Sequence, residues 1–185
     1  MPRIEENRPV RLELATPEDA CYLTILQARA FLTEEQYIPP ETLDKLRRLE
    51  DPLIGPPGMV DPAWTKMVIK STMSVYYKIL LADRTVGGLI VAAEPDKHPE
   101  ENFWRIFVEP TYSDRGIGQE AIRQLYRLHP DVKRWRLGTP EFHTKNRHFY
   151  ERMGFTLIEV VDPEQVWFRS AEYENVLSHE ERLKL

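Results

Sequence analysis

Two stretches of this sequence bring together residue types that can do chemistry. The first runs Val108-Glu109-Pro110-Thr111-Tyr112-Ser113-Asp114-Arg115-Gly116-Ile117-Gly118, from an apolar strand into an amphipathic helix. Glycines at 116 and 118 let the backbone turn sharply without Cβ obstruction. The amides of the loop and first helical turn, from Ser113 and Asp114 through Ile117 and Gly118, can then converge on an anion at the positive end of the helix dipole. Arg115 adds a permanent positive charge at the mouth. The string is not a P-loop, because no Gly-Lys-Ser/Thr follows. Nor is it a dinucleotide fingerprint, since the glycine spacing differs and no βαβ unit opens the chain. Its structural alternative is a plain strand-to-helix turn.

The second stretch is His143-Thr144-Lys145-Asn146-Arg147-His148-Phe149-Tyr150-Glu151-Arg152-Met153-Gly154-Phe155. On a helix, Asn146, Tyr150 and Met153 share a face. If that face borders a cleft, the Tyr150 phenol can give a proton to a departing thiolate while Asn146 hydrogen-bonds a polar linker. Otherwise Tyr150 packs in the core with its hydroxyl satisfied. His143 reads as a helix-start residue rather than a base.

Other chemistries find little support. The histidines at 98, 129, 143, 148 and 179 form no metal-ligand pattern, so no metal is expected. There is no Gly-Xaa-Ser-Xaa-Gly elbow, and Cys21 sits on an amphipathic helix where burial is expected. As the lone cysteine it forms no intrachain disulfide, which fits a reducing compartment. The net charge of −5 argues against nucleic acid as a partner. The densest basic run, Lys133-Arg134-Trp135-Arg136, alternates as a half-buried strand does. The first residues carry no apolar stretch of the secretory kind, and no run approaches the roughly 20 apolar residues of a membrane span. A cytoplasmic protein without membrane contact is expected.

The elements that must position these residues follow from periodicity and punctuation. Val10-Arg11-Leu12-Glu13-Leu14 alternates as a strand, and Thr16-Pro17-Glu18-Asp19 starts a helix whose apolar side holds Ala20, Leu23, Ile25, Leu26, Ala30 and Phe31. Residues 33–75 are irregular: a helical stretch with Leu43, Leu46 and Leu49, a proline- and glycine-rich loop from Asp51 to Gly58, and a helix capped by Asp61-Pro62. Strands at residues 77–82 and 86–92 are joined by a tight turn. A strand at 103–108 leads to a helix at 118–128, buried through Ala121, Ile122, Leu125 and Leu128. Then come a strand at 132–137, a helix at 144–153 closed by Gly154, and strands at 155–161 and 166–170. The polar tail from Ala171 to Leu185 reads as a terminal helix. Hairpin strands followed by a βαβ portion predict an α/β chain with a mixed sheet. Length and composition fit one domain spanning residues 1–185.

With both stretches in this order, the chain from Val10 to Val161 resembles the GNAT superfamily of N-acetyltransferases. The match rests on Ile106-Phe107-Val108-Glu109-Pro110-Thr111-Tyr112 and Arg115-Gly116-Ile117-Gly118, then Leu137-Gly138-Thr139-Pro140 and Asn146 to Phe155. The resemblance implies a mostly antiparallel mixed sheet, flanked by helices and splayed between its fourth and fifth strands. It implies acetyl-CoA as the cosubstrate and a primary amine, on a small molecule or a protein, as the acceptor. Backbone at Phe107 and Val108 would bind the pantetheine arm, and amides from Ser113 through Gly118 would hold the pyrophosphate. Asn146 would help to seat the coenzyme. Tyr150 would protonate the thiolate after direct attack by the amine. Ser113 stands where the family usually has Arg or Gln, which shifts the grip toward backbone and Arg115. Asn102-Phe103-Trp104-Arg105 lacks the strand carboxylate that several members use as a base. Glu94, Glu101 or a water chain could serve instead. That gap keeps open a non-catalytic acyl-CoA-binding or regulatory module on the same fold. Residues 33–75 are expected to wall the acceptor site, and a homodimer is common on this fold.

Overall fold

The computed structural model describes residues 9–46, 55–162 and 170–185. β1 (Val10–Leu14) alternates as expected and pairs antiparallel with β2 (Ser74–Leu81). β2 turns through Ala82 and Asp83 into β3 (Arg84–Ala92), and β3 pairs with β4 (Phe103–Val108). These four strands form one sheet in the order β1-β2-β3-β4. A second sheet has the order β5-β7-β6, from β5 (Trp135–Pro140), β6 (Thr156–Val161) and β7 (Ser170–Asn175). Every ladder within the two sheets is antiparallel. The sheets part between β4 and β5, where the splay is expected.

Helices cover both faces. α4 (Ile117–Leu128) buries Ile117, Ala121, Ile122, Leu125 and Tyr126 against Tyr77, Ile79, Leu89, Val91 and Phe103. Leu128, expected on that side, is half exposed, and Tyr126 takes the place. On the opposite face α1 (Ala20–Leu32) and α3 (Pro62–Lys70) pack Leu23, Leu26, Ala30 and Val68 on Tyr76, Ile90 and Phe107. α1 follows a 3-10 turn at Pro17–Asp19, where the Thr16 amide donates to the Asp19 carboxylate at 2.7 Å. Asp61 caps α3 by accepting from the Ala63 amide. The helical stretch before it is α2 (Pro40–Leu46); Leu49 and the loop residues 51–54 lie outside the described residues.

Three expectations change. Cys21 and Ile25 face solvent. The buried side of α1 instead carries Thr24, whose hydroxyl pairs with that of Thr65 at 2.7 Å, and Gln27. Polar residues with partners displaced the apolar ones that the pattern favoured. β5 begins at Trp135 rather than Val132, because the carbonyls of Val132 and Lys133 accept from Arg182 at 2.6 and 3.0 Å. The last strand is Ser170–Asn175, which takes the start of the expected terminal helix. Its inward residues are Ala171, Tyr173 and Asn175, alternating with Glu172 and Glu174. Residues 166–169 lie outside the described residues. Helix remains only at α6 (His179–Arg182), and Arg182 is almost fully buried.

Candidate active site

The gap between β4 and β5 has a pinned end and an open end. Asn102, which is 1% exposed, makes the pin. Its amide donates to the Arg136 carbonyl at 3.1 Å. Its side-chain nitrogen donates to Pro95 O and Arg134 O at 3.0 and 2.9 Å, and its side-chain oxygen accepts from the Arg136 amide at 2.9 Å. Beyond this point no ladder among the described residues joins the two strands. One edge of β4 is therefore without a strand partner among the described residues.

Which groups line that edge follows from alternation. Glu109 N donates to Val86 O at 2.8 Å, and the Phe107 carbonyl lies so near Gly87 that a Cβ there would meet it at 2.2 Å. The main chain of Phe107 is thus committed to β3, while that of Ile106 and Val108 faces the gap. Phe107, expected to offer its backbone, instead buries its ring beside Phe31. Ile106 takes its place. Gly87 and Gly88 are what allow β3 to lie so close.

Past Val108 the chain makes a 3-10 turn at Pro110–Tyr112 and then two left-handed residues, Asp114 (φ 60) and Gly116 (φ 75). Such turns aim successive amides into one concavity. The first helical bond of α4 is Glu120 N to Gly116 O, so the amides of Ile117, Gly118 and Gln119 precede it. A Cβ on Gly116 would find nothing within 4 Å, whereas one on Gly118 would press the Phe149 ring at 3.2 Å. One glycine thus keeps open space over the turn, and the other lets α5 (Thr144–Arg152) approach. Arg115 is exposed, donates to Thr111 O at 2.9 Å and lies over the Tyr112 ring. Ser113 is half-buried. Asp114 pairs its carboxylate with Lys145 of α5 at 3.2 Å.

On α5, Tyr150 is buried with its ring edge-on to Phe103, Phe149 and Phe155. Its hydroxyl makes no hydrogen bond to a described residue. Burial first, then the nearby charges of Glu34 and Glu101, push its pKa well up, so the phenol keeps its proton at neutral pH. Asn146 is half-buried in the first turn. Its amide donates to Nδ1 of His143, the helix N-cap, as the sequence position suggests. His143 Nε2 stands 3.1 Å from Glu34 Oε2. Glu34 comes from a 3-10 turn at Thr33–Tyr37. No local signal marks it, because it reaches this site only through the folding of α1.

The carboxylates separate clearly. Glu94 is exposed and paired with Lys97 at 2.8 Å. Glu101 is open to solvent yet hemmed by protein, as a cleft group is; that surround, and then Glu172, raise its carboxyl, while the Gly138 amide hydrogen-bonds it. It lines a cavity of about 440 Å³ between α3 and β4. A wider, more open hollow of about 560 Å³ runs along α5 past Tyr37, Lys145 and His148. No group of three His, Cys, Asp or Glu side chains among the described residues could hold a metal, and no helix there is long and apolar enough to cross a membrane.

Comparison with known proteins agrees with this geometry. Residues 73–157 match the model of the acetyltransferase (GNAT) domain. Over 87 residues the chain is 31% identical to the uncharacterized protein YrkN of Bacillus subtilis (strain 168), an alignment covering 46% of each. The chain thus spans about half the length of the curated relative it matches. Among solved structures, the PaiA N-acetyltransferase from Thermoplasma acidophilum in complex with coenzyme A aligns with a TM-score of 0.67 at 12% identity, covering 91% of this chain and 99% of that one. The microcin C7 self-immunity acetyltransferase MccE, in complex with acetyl-CoA and AMP, aligns with a TM-score of 0.64 at 15% identity over 93% and 94%. The glycine turn and the parting of the sheets after β4 lie within the residues, 73–157, that are similar to the acetyltransferase (GNAT) domain.

Proposed function

We propose that this protein transfers the acetyl group of acetyl-CoA to a primary amine by direct attack. The observation that carries the reading is the juxtaposition of an unpaired β4 edge, an amide turn at its end and Tyr150, whose ring packs on Phe103 of β4. Main-chain groups of Ile106 and Val108 suit the amides of a pantetheine arm, which would lie beside β4 as an added strand. The amides from Asp114 to Gly118, with Arg115, suit a pyrophosphate, and Asn146 suits the linker beside it. Tyr150 would hand its proton to the departing thiolate, for which a phenol still protonated at neutral pH is fitted. Glu101 would take the proton from the attacking amine, since it is the raised carboxylate in the cleft and Glu94 is already paired away. The expected cytoplasmic setting suits such a reaction.

The test is Tyr150→Phe, followed by free-thiol release over a panel of amines and by calorimetry with acetyl-CoA. The expected result is turnover reduced about 10²-fold at neutral pH with acetyl-CoA affinity near that of the wild type. Unchanged turnover would remove Tyr150 from the mechanism. Binding of acetyl-CoA without thiol release on any amine would point instead to a non-catalytic module.

A further inference from the structure

The cavity between α3 and β4 is lined by two charged side chains, Arg105 and Glu101, that have no ion-pair partner among the described residues. Arg105 is buried to nine-tenths, and among the described residues no acid pairs with it. Two of its N–H groups donate to Gln27 Oε1 at 2.9 Å and Pro57 O at 3.0 Å, and its guanidinium lies 4.6 Å from the Trp64 ring centroid. A guanidinium has five donors, so these contacts fix its place without spending it. Burying a cation with no counter-ion is costly, and burial lowers the pKa of Arg105 to about 10. Glu101, on the same cavity, also lacks an ion-pair partner among the described residues, with Glu172 adding negative charge nearby.

The walls have a different character. Trp64, Met67, Met73 and Trp104 line the same cavity. Met67 and Met73 are 60% and 59% exposed, and Trp104 is 37% exposed. Large apolar side chains gathered at one rim and left open to water mark a surface that meets an apolar group. Methionine and tryptophan adapt well to such a group.

Building on the proposed acetyl transfer, we propose that this cavity receives the acceptor, and that the acceptor is a free α-amino acid with an apolar or aromatic side chain. Its carboxylate sits on Arg105, where planar forked donors match two oxygens. Its amine lies toward Glu101, which takes the proton as the nitrogen attacks the acetyl carbon. Its side chain lies among the two tryptophans and two methionines.

The experiment compares acetyl-CoA-dependent thiol release on phenylalanine, leucine and methionine with release on their decarboxylated amines and methyl esters. The acids are expected to exceed both sets in kcat/KM by about tenfold or more. Arg105→Met is expected to collapse that ratio toward one, chiefly through KM for the acids. Arg105→Lys, which keeps the charge but not the fork, should retain part of it and serves if the Met variant fails to fold. A second arm needs no turnover: calorimetry of N-acetylphenylalanine and N-acetylphenethylamine on the full chain with coenzyme A present. Tighter binding of the acid, lost in the Arg105 variant, supports the site even if no amine is acetylated, in which case only the transfer reading fails. Equal binding of the two, better turnover of the uncharged amines, or turnover confined to spermidine or a peptide N-terminus overturns the proposal and leaves acetyl transfer standing.

Discussion

The pin at Asn102 can be tested by replacing it with alanine. The substitution removes three side-chain hydrogen bonds, to Pro95 O, Arg134 O and the Arg136 amide, and leaves the main-chain bond to Arg136 O. At about 1 kcal/mol net for each, the loss comes to about 3 kcal/mol. For a chain of this size that corresponds to a Tm lower by about 6–12 °C. Because the pin sets where the two sheets diverge, affinity for acetyl-CoA should fall with stability. Asn102→Asp sharpens the test. It keeps the acceptor for the Arg136 amide but aims a carboxylate at two carbonyls where donors stood. The folded state then favours the protonated acid, raising its pKa above the unfolded value of about 3.9. Its penalty is therefore full above the folded pKa, fades as pH falls through it and vanishes below the unfolded value. Urea unfolding at pH 5 and pH 8 measures both variants. An alanine variant within about 1 kcal/mol of wild type, or an aspartate variant no more pH-sensitive than wild type, would refute the reasoning.

Three further expectations rest on single residues. Gly116→Ala forces a side chain into a left-handed position at a cost of about 1–2 kcal/mol and pushes a Cβ into the space over the turn; equilibrium unfolding reads the first effect. Calorimetry should also show weaker acetyl-CoA binding, and an unchanged affinity would take the turn out of the phosphate grip. Arg182→Ala frees the carbonyls of Val132, Lys133 and Asn175 and the side chain of Asn175, so about 4 kcal/mol should be lost in thermal or urea unfolding; an effect smaller than about 1 kcal/mol would mean that these four bonds do not hold the C-terminal helix in place. The proposed base Glu101 would act only when ionised, and its carboxyl is held above the usual range, so turnover should fall as pH drops through that raised pKa. Glu101→Gln should abolish this acid limb of the kcat/KM profile, and a limb that persists would assign the base elsewhere.

How much of this was legible beforehand depended on the range of the interactions. The turn at 116 and 118, the closure of α5 by Gly154, the Asn146–Tyr150 face and the hairpin of β2 and β3 were all readable. Each is fixed by backbone geometry or side-chain period within a few residues, and the family resemblance drew on those same strings. The terminal strand is hard to read from sequence because Ser170–Asn175 has a single large inward residue, Tyr173, between Ala171 and Asn175, so its alternation looks merely polar.

Tertiary structure decided the rest. It alone selected Thr24 and Gln27 over Cys21 and Ile25 for the buried side of α1, since their partners come from Thr65 and from Arg105, 78 positions away from Gln27. It turned the main chain of Phe107 toward β3 and that of Ile106 toward the gap, a parity set by strand register rather than composition. It carried Glu34 to His143, paired Glu94 with Lys97, and buried Arg105 with no acidic partner among the described residues. A hydrogen bond or a buried charge joins residues far apart in the chain, and no local period records which partner closes the distance.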